Sequence, residues 1–194
     1  MLVLIVALTC GLIAGYALGG RLRNIEHLSL RLTWLVVLAM AVQLVIFTPL
    51  GAPLSETIVL AAHMASYALL LAFAVANRHQ VGVALAGVGT LLNAAVIFAN
   101  GGYMPASRWA LEFAGIAVAA EPHNNSTVAG EGARLLPLGD VMASPSWVPV
   151  VGNVFSVGDV LVAAGVAMLL VTAMRGPAGA MAATPTTGGQ TETP

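Results

Sequence analysis

The feature that most constrains this chain is a series of long apolar runs that carry almost no charge. Residues 1–19 contain no charged side chain, and residues 157–174 contain one, Asp159. Over the whole sequence 59% of residues are hydrophobic and 8% are charged, whereas a soluble domain carries about a quarter charged residues. This small number of charged residues cannot cover a water-facing surface. We therefore expect the chain to lie in a membrane.

Five of these runs have the length and composition of membrane-spanning helices, because a bilayer core is crossed by about 20 apolar residues. They predict an all-α, multi-pass transmembrane helix bundle within residues 1–175, with spans at about 1–19, 32–47, 57–76, 81–99 and 157–174. We expect the first run to be retained as a membrane helix, since no basic segment precedes it and no A-x-A-like cleavage site follows. Residues 176–194 are rich in Thr, Gly, Pro and Ala and predict a disordered tail.

The segment between the fourth and fifth runs, residues 100–152, is too polar and too rich in proline to cross a membrane. Within it, Trp109, Phe113 and Ile116 recur at helical spacing. This spacing predicts a surface or re-entrant helix near residues 107–120. The segment is therefore predicted to lie outside the membrane as one long connection.

The arginines predict the orientation. Three lie between the first two runs, one lies between the third and fourth, and Arg175 follows the fifth. With five spans these three places share one side, and basic residues favour the cytoplasmic side. The prediction is a protein of the cell (inner, cytoplasmic) membrane with its N-terminus outside, the long segment outside and its C-terminus in the cytoplasm.

With this topology the polar side chains of the runs gather toward the outer side. Side chains of this kind turn inward in a bundle because lipid cannot satisfy their hydrogen bonds. They predict one outward-facing polar pocket capped by the long segment. Its candidate residues within the runs are Gln43, His63, Tyr67, Asn93, Ser156 and Asp159.

Each of these residues also has a purely structural interpretation. Ser156 and Asp159 have the spacing of a capping box at a helix N-terminus. Gln43 and Asn93 are suited to hydrogen bonds between helices. His63 has no second histidine at ligand spacing, so no metal site is predicted.

Three motifs resemble an uncharacterised bacterial membrane family, the domain of unknown function numbered 5317. They are Asn-Gly-Gly-Tyr-Met-Pro at 100–105, Leu-Gly-Asp at 138–140 and Asn-Val-Phe-Ser-Val-Gly-Asp at 153–159. The resemblance implies a small multi-pass inner-membrane protein and no particular activity. The motifs add further candidate pocket residues: Asn100, Gly101, Gly102, Met104, Pro105 and Asn153.

A second, local resemblance has chemical content. Phe-Ser-Val-Gly-Asp at 155–159 is similar to the last catalytic motif of lipoprotein signal peptidases, Phe-Asn-x-Ala-Asp, in which two aspartates activate a water. The resemblance implies Asp140 and Asp159 as a catalytic pair, and they are the only aspartates in the chain. Ser156 stands where that motif has Asn, and the motif that surrounds the other aspartate in that family is absent.

These patterns favour a membrane protein of unknown role that binds a lipid, a small molecule or a partner protein at its outer face. The alternative is a membrane-embedded aspartic hydrolase, and a transporter is disfavoured because no inverted repeat is visible. A net charge of −1 gives no basis for nucleic acid binding. No phosphate loop, paired histidines or Cys-x-x-Cys is present, so no cofactor is expected.

Overall fold

Six α-helices form most of the described part of the chain. The structure, a computed structural model, describes residues 2–116, 126–130, 132–145, 147 and 154–176. The helices are α1 (Leu2–Ala17), α2 (Thr33–Ile46), α3 (Glu56–Ala76), α4 (Val81–Ala99), α5 (Arg108–Phe113) and α6 (Val157–Arg175). Short 3-10 helices are Leu22–His27, Pro49–Gly51 and Leu136–Leu138. Asn153 and the tail from residue 177 onward lie outside the described residues.

Three helices are long and apolar enough to cross a membrane, namely α3, α4 and α6. The other two predicted spans are also apolar helices, but α1 has 16 residues and α2 has 14. At 1.5 Å per residue they reach about 24 and 21 Å, short of a hydrocarbon core of about 30 Å. The structure thus shows three candidate spans, and a five-span topology stays a prediction.

Glycines bring α4 and α6 into close antiparallel contact. A Cβ at Gly82 would collide with the backbone of Gly165, and a Cβ at Gly89 would collide with the backbone of Gly158. The two glycines of each helix are seven residues apart, so they lie on one face. Small residues at such positions let helix backbones approach in the absence of a hydrophobic driving force from water.

The bundle has two ends that differ in sequence. On the other side of α6, α1 runs parallel to it, since Gly11 lies against Ala167 and Gly15 against Met174. The C-termini of α1, α3 and α6 therefore share one end, which we call the arginine end because it holds five of the seven arginines. These are Arg21, Arg23, Arg31, Arg78 and Arg175. The opposite end, which carries the three sequence motifs, is the motif end.

At the arginine end, Asn77 joins two elements. It follows α3 and is fully buried. Its Oδ1 accepts from the backbone N–H of Arg31 at 2.7 Å, and its Nδ2 donates to the carbonyl oxygens of Arg31 at 2.8 Å and Phe73 at 2.9 Å. Because the Asn77 side chain satisfies both backbone groups of Arg31, it fixes the chain just before α2.

The structure is mostly helical, and the segment after α4 adds short strands that the sequence analysis did not predict. Strand β1 (Met104–Ala106) pairs in parallel with β2 (Ser126–Val128), and β3 (Met142–Ala143) pairs antiparallel with β4 (Val154–Phe155). Pro105 has no N–H to donate within a helix. The extended backbone on either side of it finds its partners in other extended segments instead.

Helix α5 is shorter than the predicted helix near residues 107–120. Gly115 has a φ of +70°, and the backbone N–H of Ile116 donates to the carbonyl of Leu111 at 2.9 Å. This is the hydrogen-bond pattern of a Schellman ending, in which a glycine takes the left-handed conformation. The helix therefore ends at Phe113, and residues 117–125 lie outside the described part of the chain.

Candidate functional site at the motif end

The start of α6 is closed by a capping box, as the structural interpretation of the sequence predicts. The hydroxyl of Ser156 accepts from the backbone N–H of Asp159 at 3.0 Å. In return, Oδ2 of Asp159 accepts from the backbone N–H of Ser156 at 3.0 Å. Asp159 also lies in the first turn of the helix, where an acidic side chain is stabilising.

Asn93, on α4, closes this box into a ring of side chains. Its Nδ2 donates to Oδ1 of Asp159 at 2.8 Å, and its Oδ1 accepts from the hydroxyl of Ser156 at 2.8 Å. Asn93 and Ser156 are buried. A side chain at Gly158 would strike the Asn93 amide, so the glycine contact between α4 and α6 is also what admits this ring.

Asp140 reaches the same end by backbone pairing between two of the motifs. Its N–H donates to the carbonyl of Pro105 at 2.9 Å, and its carbonyl accepts from the N–H of Ser107 at 3.0 Å. A Cβ at Gly139 would collide with the carbonyl oxygen of Pro105. The Leu-Gly-Asp and Asn-Gly-Gly-Tyr-Met-Pro motifs therefore form one unit, in which the side chain of Asp140 is 6% exposed.

Tyr67, on α3, is a residue that both aspartates influence electrostatically. The charges of Asp159 and of Asp140 both act on its hydroxyl. The ring of Tyr67 packs against a small core that also includes Met104 and Leu138, one residue from each of the first two motifs. Two aspartates from distant parts of the sequence thus lie near enough to Tyr67 for their charges to act on it.

His63 lies one helical turn before Tyr67 and belongs to the same region. Its side chain is almost fully buried and interacts with the backbone of Gly102. Its ring meets Phe47 edge to face, with centroids 4.9 Å apart, and lies 5.2 Å from the ring of Tyr67. Position 102 favours glycine for two reasons: its φ is +106°, and a side chain there would strike Leu60.

Asn100 and Gly101 hold the chain in place around the site. Oδ1 of Asn100 accepts from the N–H of Arg134 at 2.8 Å, and its Nδ2 donates to the carbonyls of Arg134 at 2.8 Å and Val96 at 2.7 Å. Gly101 takes φ +69°, and such a left-handed glycine is a common way for a helix to end. Asn100 therefore fixes the chain six residues before Asp140.

Gln43 is joined to the site through one intermediate. Its Nε2 donates to the hydroxyl of Ser66 at 2.9 Å, and that hydroxyl donates to the carbonyl of His63 at 2.7 Å. The side chain of Gln43 thus links α2 to α3, which is its structural interpretation from the sequence. It approaches the backbone of His63 and not the carboxylates.

Four of the candidate residues form the ring or carry a carboxylate whose charge acts on Tyr67, the ring of His63 lies next to that of Tyr67, and Gly102 interacts with His63. Met104 and Pro105 pack against or pair with the second motif, and Asn153 lies outside the described residues. Sequence reasoning overlooked Asn77, although an asparagine directly after a helical run is a helix-ending signal. Among the described residues there is no group of three His, Cys, Asp or Glu side chains that could hold a metal ion.

One cavity that described residues line lies at the arginine end and not at the motif end. Its volume is about 180 Å³, and it lies between the Leu22–His27 helix, the start of α4 and the last turn of α6. The predicted outward-facing pocket therefore stays a prediction. What the structure places at the motif end is a set of hydrogen-bonded polar side chains.

Apolar helices of membrane-spanning length and a polar network at one end define a helical protein of the membrane class. The chain belongs to the family described as "Family of unknown function (DUF5317)", which it matches over residues 27–171. The match confirms the family that the three motifs predict, and α1 precedes it. No curated protein and no solved structure matches the chain.

Proposed function

We propose that this chain is a five-span protein of the inner (cytoplasmic) membrane, with its motif end outside, that binds a hydrogen-bond-donating ligand at that end. The distribution of arginines supports the orientation, because five of seven lie at the opposite end and basic residues favour the cytoplasmic side. Exposed tryptophans at both ends agree with two interfacial belts: Trp34 at the start of α2 and Trp109 on α5.

The two short helices also belong in the membrane in this proposal. Their outward faces are apolar and exposed, with Ile13 on α1 and both Val37 and Met40 on α2 at least 65% exposed. Exposed apolar surface of this extent is stable against lipid and costly against water. These helices fall about 6 and 9 Å short of the hydrocarbon core, and local thinning of the bilayer together with flanking residues that reach the interface accommodates this at a fraction of a kcal/mol per ångström.

The observation that carries the binding proposal is the hydrogen-bonded ring of Ser156, Asn93 and Asp159 at the start of α6. The charges of Asp159 and Asp140 both act on Tyr67. Ionised carboxylates only accept hydrogen bonds. A ligand that meets them must therefore donate, as an ammonium or hydroxyl group does. At the outer membrane surface such groups are carried by lipid headgroups and by small polar molecules. We therefore place an amine-bearing headgroup or small amine at this site.

Two lipids that differ only in their headgroup nitrogen test this proposal. Phosphatidylethanolamine has an ammonium with three donors, whereas the trimethylated nitrogen of phosphatidylcholine has none. Native mass spectrometry of the purified full chain should show preferential retention of phosphatidylethanolamine. The preference should fall at least tenfold in Tyr67→Phe, which keeps the ring and removes the hydroxyl, and in Asp140→Asn.

A matched control comes from the other end of the bundle. Thr33 is an exposed hydroxyl at the start of α2, so Thr33→Val removes a hydroxyl of similar size far from the site. It should leave the preference unchanged. Equal retention of the two lipids, together with no effect of Tyr67→Phe on retention of a soluble primary amine, would overturn the binding proposal.

An aspartic hydrolase is a second candidate, favoured by the presence of both aspartates at the motif end, where their charges act on Tyr67. Two close carboxylates share their protons unequally, so one can act as acid and the other as base. Against this, both oxygens of Asp159 already accept hydrogen bonds from Asn93 and Ser156. A hydrolase predicts that Asp140→Asn and Asp159→Asn each abolish cleavage of a membrane-anchored peptide while the chain stays folded.

A further inference from the structure

A second site lies at the arginine end, in the cavity of about 180 Å³. Three elements that are distant in sequence form it, and four of its lining residues have polar side chains: Asn24, His27, Gln80 and Thr172. At liquid density this volume would hold about six water molecules. That is enough for one phosphate group with a short polar substituent.

Three arginines neighbour the lining residues of this cavity in the sequence. Arg23 precedes the lining residue Asn24, Arg78 lies two residues before Gln80, and Arg175 precedes Gly176. All three arginine side chains are exposed. The ion pair that the described residues form in this region joins His27 to Glu26 at 3.6 Å and includes none of these arginines. Within the described part of the chain these guanidinium groups have no carboxylate partner, so their field favours an anion.

The local hydrogen bonding also favours an anion. The carbonyl of Met174, at the negative end of α6, already accepts from the N–H of Arg21 at 2.8 Å and from Nδ2 of Asn24 at 2.7 Å. By contrast, Gln80 precedes α4 without forming a side-chain cap. The negative helix end beside the cavity is thus covered by donors, whereas the donors at the start of α4 have no side-chain acceptor.

We propose that this cavity binds a phosphate group carried by an anionic lipid headgroup or by a small soluble phosphate ester. Arginine is suited to this role because its planar guanidinium donates two parallel hydrogen bonds to phosphate oxygens. The polar lining receives the rest of the headgroup. The site is separate from the aspartates of the motif end, which only accept hydrogen bonds, and would take a ligand of opposite charge.

The test measures thermal unfolding of the purified full chain titrated with phosphatidylglycerol, phosphatidylcholine or glycerol phosphate. Phosphatidylglycerol should stabilise the chain and phosphatidylcholine, which is zwitterionic, should not. The double variant Arg23→Gln/Arg175→Gln should need at least tenfold more phosphatidylglycerol for the same shift. Arg108→Gln, an exposed arginine at the motif end, is the matched control and should behave as the unmodified chain.

A filling variant separates the cavity from diffuse surface charge. Thr172 is exposed and lines the cavity, so Thr172→Trp occupies it without altering any charge. It should weaken the phosphatidylglycerol effect as strongly as the double arginine variant. If glycerol phosphate stabilises as well as the lipid, the ligand is a soluble phosphate ester, and if only the lipid does so, it is a headgroup. Full retention of the effect in Thr172→Trp, or an equal loss in Arg108→Gln, would overturn the proposal.

Discussion

The two ends of the bundle contain the same local device, an asparagine that ends a helix and clamps the backbone of a distant arginine. Asn77 follows α3 and holds Arg31, and Asn100 follows α4 and holds Arg134. In both, Nδ2 also donates to the carbonyl four residues earlier. The three hydrogen bonds of each clamp lie between 2.7 and 2.9 Å.

The likeness extends to the residue after each arginine. Leu32 has φ +57° and Leu135 has φ +56°, and these are the non-glycine residues with positive φ in the described part of the chain. A left-handed leucine costs about 1–2 kcal/mol, so it forms where its surroundings enforce it. Each leucine directly precedes a helix, α2 in one case and the Leu136–Leu138 helix in the other.

The two clamps differ in the segment that each one holds in place. Asn77 is fully buried, and the segment it holds leads into α2. Asn100 is partly exposed, and the segment it holds leads within six residues to Asp140, beside Tyr67. The same hydrogen bonds therefore hold two helices together at the arginine end and position a carboxylate at the motif end.

The first way to break this comparison is to remove each clamp. Asn77→Ala removes the side-chain partner of both backbone groups of Arg31 and should lower the free energy of unfolding by about 3 kcal/mol. Asn100→Ala should cost only about 1 kcal/mol, because water can replace the lost partners at its exposed position. Unfolding in mixed detergent micelles measures both. Equal losses of unfolding free energy in the two variants would show that the two clamps contribute equally to stability, against this comparison.

For ligand binding the order of the two clamps should be reversed, with the larger effect at Asn100. Asn100→Ala should reduce the preference for phosphatidylethanolamine, since it frees the segment that carries Asp140. Asn77→Ala, studied at a temperature where it is folded, should preserve that preference. The variants Asn77→Asp and Asn100→Asp keep one acceptor and remove the donors, so each should fall between the alanine variant and the unmodified chain.

The next largest effect is expected at the two glycine contacts of α6. Overpacking costs up to about 3 kcal/mol, and the better helix propensity of alanine returns about 1 kcal/mol. Gly158→Ala and Gly165→Ala should each destabilise by about 2 kcal/mol. They differ in function, because only Gly158 lies against the Asn93 amide. Loss of lipid preference in Gly165→Ala would contradict this division.

The parts of this structure that the sequence predicts are those with local signals. The apolar runs locate the five long helices to within two residues of their ends, because composition over about 20 residues decides them. The spacing of Ser156 and Asp159 predicts the capping box. The Asn-Gly-Gly run at 100–102 announces the left-handed ending of α4 because glycine adopts positive φ without strain.

The parts that the sequence does not predict depend on contacts across the chain. Nothing local to Asn93 indicates that its side chain would accept a hydrogen bond from the hydroxyl of Ser156, 63 residues later. The pairing of Asp140 with Pro105 likewise requires two loops to meet. For the same reason the strands of the motif end were missed, since two or three extended residues carry no periodicity of their own.

A smaller effect is expected at the aspartate of the capping box. Asp159→Asn removes the charge at the start of α6 and puts an amide donor in place of one acceptor, so it should cost about 1 kcal/mol. Asp140→Asn should change stability less than lipid binding, because backbone hydrogen bonds hold the loop of Asp140. Chemical unfolding and lipid retention give the two readouts. A purely structural pair would leave lipid retention unchanged in both variants.

The smallest effect is expected at Gln43, which contributes one hydrogen bond between α2 and α3. Interhelical hydrogen bonds in membranes average about 0.6 kcal/mol, because the separated helices find other partners. Gln43→Leu should therefore destabilise by about this amount, and Gln43→Leu/Ser66→Ala should cost little more than the larger single change. Since Gln43 reaches His63 only through its backbone carbonyl, lipid preference should persist in Gln43→Leu. A loss of preference would extend the site to α2, and the motif end would then include a fourth helix.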